Sequence, residues 1–339
     1  MDVNPDKTSL RASTEGPKLV RVFGKFKFLG VGVLVRALHE WFRQHRDRQR
    51  ICREDAPSLQ VFRRLRPELN SVQHGLLGQL EENGIASTQV STLVGNTHWR
   101  ELRDTVNTWL RTPETQARED AYLSGKATSG KAYLVTMFGK GSSIDWSSQW
   151  LRFAVMPEIL DLVNSYLGLM SRLNTVDVWD TVPRIHDGPD IGSQRWHRDP
   201  EATRMLKVFL YFSDVDRDSG PMYYVRQSRK GDRYGHLWPQ KPPLGGSVPP
   251  VGSIDAVVPM SAFEICTFSA GTLVFADTSG LHRGGRASTN RRVLGAWTFV
   301  PPSSVWPRRF SVDNDMVPNW LSPAARYALL PAEEEMFPP

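Results

Sequence analysis

From Val31 to His45 the positions Val31, Leu34, Val35, Leu38, Trp41 and Phe42 recur every three to four residues, the stripe of an amphipathic helix. Pro67 suits the first turn of a second helix that runs to about Asn83 and is ended by Gly84. The pattern then predicts a strand over Ile85–Val94, a helix over His98–Arg111, a polar connection over Thr112–Gly130 and a strand over Lys131–Phe138. Ser147–Leu167 carries a helical period, with Trp150, Phe153, Ala154, Ile159, Leu160 and Val163 on its apolar stripe and Pro157 kinking or splitting it.

Beyond residue 170 the period changes. Strand-like runs appear at Leu173–Val182, Arg195–His197, Leu206–Phe212, Met222–Val225, Phe263–Phe268, Thr272–Ala276 and Val293–Val300. Turn-forming stretches such as Asp218–Pro221 and Ser269–Gly271 separate them. Helices first and strands afterwards predict an α+β chain whose second half is an antiparallel β-sandwich or jelly roll. Lys241–Pro259, rich in Pro and Gly, reads as a long surface insertion of the kind that edges active sites.

Charge divides the chain. The net +6 of the 339 residues is concentrated in residues 1–66, where fifteen Lys and Arg face seven Asp and Glu, a surplus of eight that leaves the remainder at −2. We therefore expect a basic N-terminal segment, 1–66, and a main domain, 67–339, with its strand-rich core at about 171–300. A basic amphipathic helix can touch an anionic surface; packing on the main body is the plainer expectation. No nucleic-acid-binding motif accompanies it. Cys52 and Cys266 form no paired framework and read as free thiols in a reducing compartment. No run reaches the length of a membrane span. Phe28–Val35 follows Lys25 and Lys27 faintly like a signal sequence, but Arg36 comes next without a small-residue cleavage site. The expected compartment is the cytoplasm.

The candidate chemistry begins at Gly192–Pro200. In an extended segment side chains alternate, so His197 and Asp199 share a face and Arg198 takes the other. An imidazole and a carboxylate so placed can grip one metal ion. His282, after the strand Thr272–Ala276 and the turn Asp277–Gly280, offers a second imidazole. Two histidines and one carboxylate on one face of an iron leave three positions open, the arrangement of non-haem Fe(II) oxygenases, whereas structural zinc sites close all four. About ten residues on, Arg291 and Arg292 open the strand Val293–Val300. A guanidinium there suits a dicarboxylate such as 2-oxoglutarate, and alternation lets one of the two face inward. Arg292 is favoured, because it shares a face with Leu294, Ala296 and Thr298 and sends Trp297 outward.

Residues 192–299 resemble the phytanoyl-CoA dioxygenase family of Fe(II)- and 2-oxoglutarate-dependent oxygenases. The resemblance rests on Gly-Ser-Gln-Arg-Trp-His-Arg-Asp-Pro (192–200), Lys-Val-Phe-Leu-Tyr-Phe-Ser-Asp-Val (207–215), Gly-Pro-Met-Tyr-Tyr-Val (220–225) and Gly-Thr-Leu-Val-Phe-Ala-Asp-Thr-Ser-Gly-Leu-His-Arg-Gly-Gly (271–285), about a third of the chain. It implies a double-stranded β-helix, a cupin-like jelly roll with the N-terminal helices packed on it. It also implies iron on His197, Asp199 and His282, the cosubstrate on Arg292 or Arg291, and O2-dependent hydroxylation of an unactivated C–H bond with release of succinate and CO2. Relatives that halogenate leave the position of Asp199 small, so its carboxylate argues for hydroxylation or another oxidation. Where many relatives read Val-Pro-Gly-Ser-His, this chain has Val225-Arg226-Gln227-Ser228-Arg229, which implies unusual substrate contacts.

Gln194 and Lys207 are candidate hydrogen-bond donors to the cosubstrate, or satisfy backbone groups. Asp277 and Thr278 either orient His282 or cap its turn. Arg198 is expected in a surface or structural ion pair and Trp196 in the core. His39, His45, His74, His98, His186 and His236 have no ligand partners at suitable spacing and read as structural. The competing class is a jelly-roll binding or scaffold protein without turnover. The expected substrate is a small organic or acyl-type molecule, no motif selects among such molecules, and none signals an oligomeric state.

Overall fold

The structure is a computed structural model. It describes residue 42 and residues 45–127, 130–184, 188–240, 246–312 and 317–330. The chain forms two compact units, Met1–Gln49 and Arg50–Pro339. Of the first, residues 42 and 45–49 are described, and they are helical. The amphipathic stretch expected over Val31–His45 otherwise lies outside the described residues, as do His39 and His186. Residues 50–65, helix α1, belong to the second unit, where buried Asp55 accepts hydrogen bonds from Ser303 N at 2.8 Å and Ser303 Oγ at 2.9 Å.

The second unit continues with α2 (Ser71–Asn83), β1 (Ile85–Gln89), α3 (Val90–Leu93), α4 (Asn96–Leu110), α5 (Pro113–Leu123), β2 (Leu134–Thr136), β3 (Ser142–Ser143), α6 (Gln149–Ala154), α7 (Pro157–Leu167) and β4 (Arg172–Thr181). After these come β5 (Leu206–Tyr211), β6 (Met222–Val225), α8 (Ser253–Val257), β7 (Phe263–Ile265), β8 (Thr272–Ala276), β9 (His282–Gly284), β10 (Arg292–Val300), β11 (Phe310–Ser311) and α9 (Pro323–Leu329). No helix among the described residues is long and apolar enough to cross a membrane.

Local chemistry sets several boundaries. Asn70 caps α2 in a reciprocal box with Gln73, and Gly84, at φ +80°, ends it in the left-handed conformation. Pro157 splits the expected 147–167 helix into α6 and α7, and sits in the first turn of α7, where its missing N–H costs nothing. Two expectations are corrected. Thr112–Gly130 is no plain connection: Thr112 accepts from Thr115 N and Pro113 opens α5, a helix with Thr115 as its one buried residue and so with no apolar stripe to betray it. The strand expected over Ile85–Val94 stops at Gln89, and Val90–Leu93 turn helical.

Six strands form an antiparallel sheet in the order β1-β8-β5-β10-β4-β2, and three form a second in the order β7-β6-β9. One face of the large sheet, with Val208, Phe275, Trp297 and Phe299, packs against α4, α6 and α7. The other, with Phe209, Tyr211, Leu294 and Ala296, faces Met222 and Tyr224 of the small sheet. Both faces are covered, and every residue of β5, β8 and β10 is buried. That is why these strands read as continuous apolar runs rather than alternating ones. The layering is α+β and compatible with a jelly roll. Trp297 does turn away from Arg292's face, but toward protein: its ring is fully buried against Trp150 and Phe153, and Nε1 donates to Trp150 O at 2.9 Å.

Candidate metal centre

His197 and His282 face each other across a two-residue antiparallel bridge. His197 N donates to His282 O at 2.9 Å and His282 N to His197 O at 3.0 Å. A directly opposed pair puts both side chains on one side, and the ring centres stand 4.2 Å apart. Two residues on, Asp199 N donates to Thr278 O at 2.9 Å, extending the tie. The run expected to be a strand at Arg195–His197 is thus a short ladder of bridges entered from a 3₁₀ turn at Gly192–Gln194, yet it keeps the alternation that aims His197 and Asp199 together.

His197 Nε2 is 3.5 Å from Asp199 Oδ1, and His282 Nε2 is 3.4 Å from Asp199 Oδ2. Metal bonds of about 2.0–2.2 Å separate neighbouring ligand atoms by roughly 3.0–3.4 Å, so small shifts would close these groups on one ion. Each ring is oriented by a carbonyl two residues back: His197 Nδ1 lies 2.8 Å from Arg195 O and His282 Nδ1 3.0 Å from Gly280 O. A carbonyl only accepts, so Nδ1 carries the proton and Nε2 presents its lone pair to the centre. Burial, with His197 beside it, holds His282 below the usual histidine range despite Asp199. Among the described residues these three are the set of His, Cys, Asp and Glu side chains that could share a metal. His45, His74, His98 and His236 take no part.

Burial alone would raise the Asp199 carboxyl. The Lys207 ammonium, with His282 close by, outweighs it and holds the group well below the usual carboxylate range. Lys207 Nζ is 2.6 Å from Asp199 Oδ2 and 3.9 Å from Glu201 Oε1. Lys207 therefore pairs with the candidate ligand itself, a partner that sequence alone does not reveal.

The turn that presents His282 is built from behind. Asp277 accepts from Ser279 N at 3.0 Å and Tyr166 Oη at 2.7 Å, so its carboxylate shapes the turn and does not reach the imidazole. Gly280 packs so closely that an added Cβ would run into Tyr224 Oη and Ser228 Oγ. Arg198 faces away from the centre, as alternation requires, but the expected ion pair is absent among the described residues. Its buried guanidinium donates to the carbonyls of Ser228, Tyr234, Leu237, Trp238 and Ser279, and burial lowers it to about 10. Five carbonyl dipoles take the place of a counter-ion and bind the 228–238 loop to the His282 turn. The 225–229 segment serves the same scaffold. Ser228 Oγ accepts from Leu281 N at 2.8 Å, and Arg229 donates to the carbonyls of Leu80 and Glu81 and pairs with Asp232. It does not line the cavity.

The triad opens into a cavity of about 260 Å3 between the two sheets. Gln194, Lys207 and Arg292 line it, and Arg291 does not. Arg291 turns to the other side of the sheet and pairs with Glu119 at 2.6 Å and buried Asp180 at 2.8 Å. The buried Arg292 side chain donates through Nη1 to Gly220 O, while its Nε has no hydrogen-bond partner. A guanidinium that lines a cavity and keeps a buried N–H unpaired fits a bound carboxylate. Gln194 Oε1 accepts from Ile191 N at 3.1 Å, which orients its amide at the wall. Trp196 is core, packed on Phe263. Sequence reasoning missed Glu201, Lys131, Trp306 and Arg309 as lining residues. Glu201 was legible, since it continues the alternation of His197 and Asp199; the others arrive from distant segments.

No protein-family model matches the sequence, and no curated protein matches it. Similarity to solved structures is at low identity and partial structural overlap. The chain is similar to the epimerase SnoN in complex with Fe3+, alpha ketoglutarate and nogalamycin RO, at 16% identity and TM-score 0.45 over 68% of this chain and 84% of that one. It is also similar to HygX from Streptomyces hygroscopicus with nickel and 2-oxoglutarate bound (14%, TM-score 0.43, 69% and 88%) and to EctD from S. alaskensis with 2-oxoglutarate and 5-hydroxyectoine (12%, TM-score 0.45, 68% and 76%). What this chain can bind follows from its own side chains: two imidazoles and a carboxylate converge on one point, in the same cavity as a buried arginine.

Proposed function

We propose that the protein is an Fe(II)- and 2-oxoglutarate-dependent oxygenase of the phytanoyl-CoA dioxygenase type, built on a double-stranded β-helix, that hydroxylates an unactivated C–H bond of a small organic or acyl-type substrate. The observation that carries this is the sharing of one cavity by the His197–Asp199–His282 cluster and the buried guanidinium of Arg292. A ferrous ion with 2-oxoglutarate, once bound, supplies the O2-dependent decarboxylation to succinate and CO2 that drives substrate oxidation.

The chain does the rest. His197 and His282 hold Nε2 ready because backbone carbonyls fix their Nδ1 protons. Asp199 supplies charge, and Lys207 on Oδ2 turns the carboxylate and limits it to one free oxygen. Arg292 anchors the far carboxylate of the cosubstrate through its planar fork. Phe209, Leu294 and Trp179 give the cavity dry walls, which strengthen the electrostatic contacts inside. Anaerobic addition of Fe(II) and 2-oxoglutarate tests the reading: the weak visible charge-transfer band of the chelate is expected in the native protein and absent from a His197→Ala, Asp199→Ala variant. Folded native protein without the band, or a variant that keeps it, refutes it.

A further inference from the structure

We propose that the substrate carries an anionic group, a carboxylate, phosphate or sulfate, on an apolar, ring-bearing body, and that Lys131 and Arg309 at the cavity rim receive that group. The inference rests on the assignment of the triad and Arg292 made above.

Charge balance leads to it. Six formally charged side chains line the cavity: Lys131, Lys207, Arg292 and Arg309 against Asp199 and Glu201, a surplus of two positive charges. A divalent ion would add two and a dicarboxylate cosubstrate remove two, so the surplus remains. Its location is identifiable. Lys207 is matched by Asp199 at 2.6 Å, with Glu201 at 3.9 Å, and Arg292 lies buried on the cosubstrate side. Lys131 and Arg309 are left, both on exposed stretches of chain.

Neither side chain makes a hydrogen bond or ion pair with any described residue, whereas the adjacent Arg308 donates to the carbonyls of Leu173, Ala328 and Leu329. Exposed cations without partners are ordinary on a convex surface. Here they converge on one concave opening, where like charges raise each other's energy and an arriving anion would lower both. Partial burial of its end, with Lys207 and Arg309 nearby, holds the Lys131 ammonium below the usual lysine range against the pull of Asp199 and Glu201. Trp306, whose indole N–H is buried without a hydrogen-bond partner, lines the same cavity, as do Trp179 and Phe209. Planar apolar walls behind a cationic rim suit an aromatic or alicyclic acid.

The test is calorimetric titration of the protein, loaded anaerobically with Fe(II) and 2-oxoglutarate, with 3-phenylpropanoate, phenyl phosphate and the uncharged 3-phenylpropanamide. At least one anion is expected to bind tenfold or more tightly than the amide, to weaken with added NaCl, and to lose that advantage in Lys131→Met, Arg309→Gln protein. Lys131→Arg, Arg309→Lys protein should regain it, which separates lost charge from disturbed folding. The two anions distinguish a carboxylate from a phosphate site. Equal affinity across the three probes, including no binding by any, overturns the proposal, as does an anion preference that survives the neutral variant. Loss of the Fe(II)–2-oxoglutarate band in that variant also overturns it, by assigning the two cations to the cosubstrate. A native protein that shows no band but keeps the charge-dependent preference would instead refute the oxygenase reading while leaving the anion site standing.

Discussion

Replacing Lys207 with Met tests the electrostatics of the centre most directly. Nζ and Asp199 Oδ2 stand 2.6 Å apart with both side chains nearly closed to solvent. At an effective dielectric of about 20 the bare attraction at that distance is about 6 kcal/mol, much of it offset by desolvation. Removing one partner leaves the other charge buried and uncompensated, a loss of about 3–5 kcal/mol, or roughly 6–15 °C in Tm for a unit of this size. A divalent ion changes the sign of the comparison. It would compensate Asp199 itself, no longer compete with an ammonium for Oδ2, and no longer be repelled by it. Lys207→Met should therefore be strongly destabilised in EDTA and recover most of the loss on adding Zn(II) or anaerobic Fe(II), with metal stabilising the variant more than the native protein. Replacing both partners, Lys207→Met with Asp199→Asn, should cost less in EDTA than Lys207→Met alone. Thermal unfolding with and without metal provides the assay. A variant within about a degree of native in EDTA, or one that gains no more from metal than the native protein does, would refute the account.

Three further outcomes follow from the geometry. Arg292→Gln should raise the 2-oxoglutarate concentration that half-saturates the chelate band by about a hundredfold, the loss of a charge-assisted fork worth about 3 kcal/mol; Arg291→Gln should leave that titration unchanged while lowering stability, because buried Asp180 loses a partner. Gly280→Ala should weaken metal binding at least tenfold in calorimetry, since its methyl group would displace Tyr224 and Ser228 and with them the turn that aims His282. Asp161 on α7 is raised to about 6 by burial and by Glu158. Its folded-state pKa lies above the ordinary 3.8, so its contribution is intact below pH 4 and is lost as pH rises through about 6. Asp161→Asn should accordingly stabilise the protein by about 1–2 kcal/mol at pH 8, allowing for partial solvent screening, and by nothing at pH 4 in urea titrations.

Elements punctuated by their own sequence were legible. Met222–Val225 and Thr272–Ala276 have the expected limits because Gly, Pro and Asp turns bound them, and Gly84 and Pro157 mark helix ends by backbone restriction alone. Helix α5 was not legible, since a helix that buries one residue has no stripe to read. The site divides along the same line. Alternation is a local rule, and it placed His197 with Asp199, turned Arg198 away, and separated Arg292 from Arg291. What each side chain meets is decided by strands and loops far off in sequence. Arg198 was expected to find a carboxylate and instead gathers carbonyls from 228–238 and the His282 turn, because that is the wall its face was folded against. For Lys207 the sequence left two partners open, the cosubstrate or backbone groups. The tertiary placement of β5 brings it to Asp199 before any cosubstrate binds, so the lysine acts first on the ligand carboxylate. A metal entering this centre must contend with Lys207 for Oδ2 and with the repulsion of its ammonium, and it meets its free donors in the two imidazoles and Asp199 Oδ1.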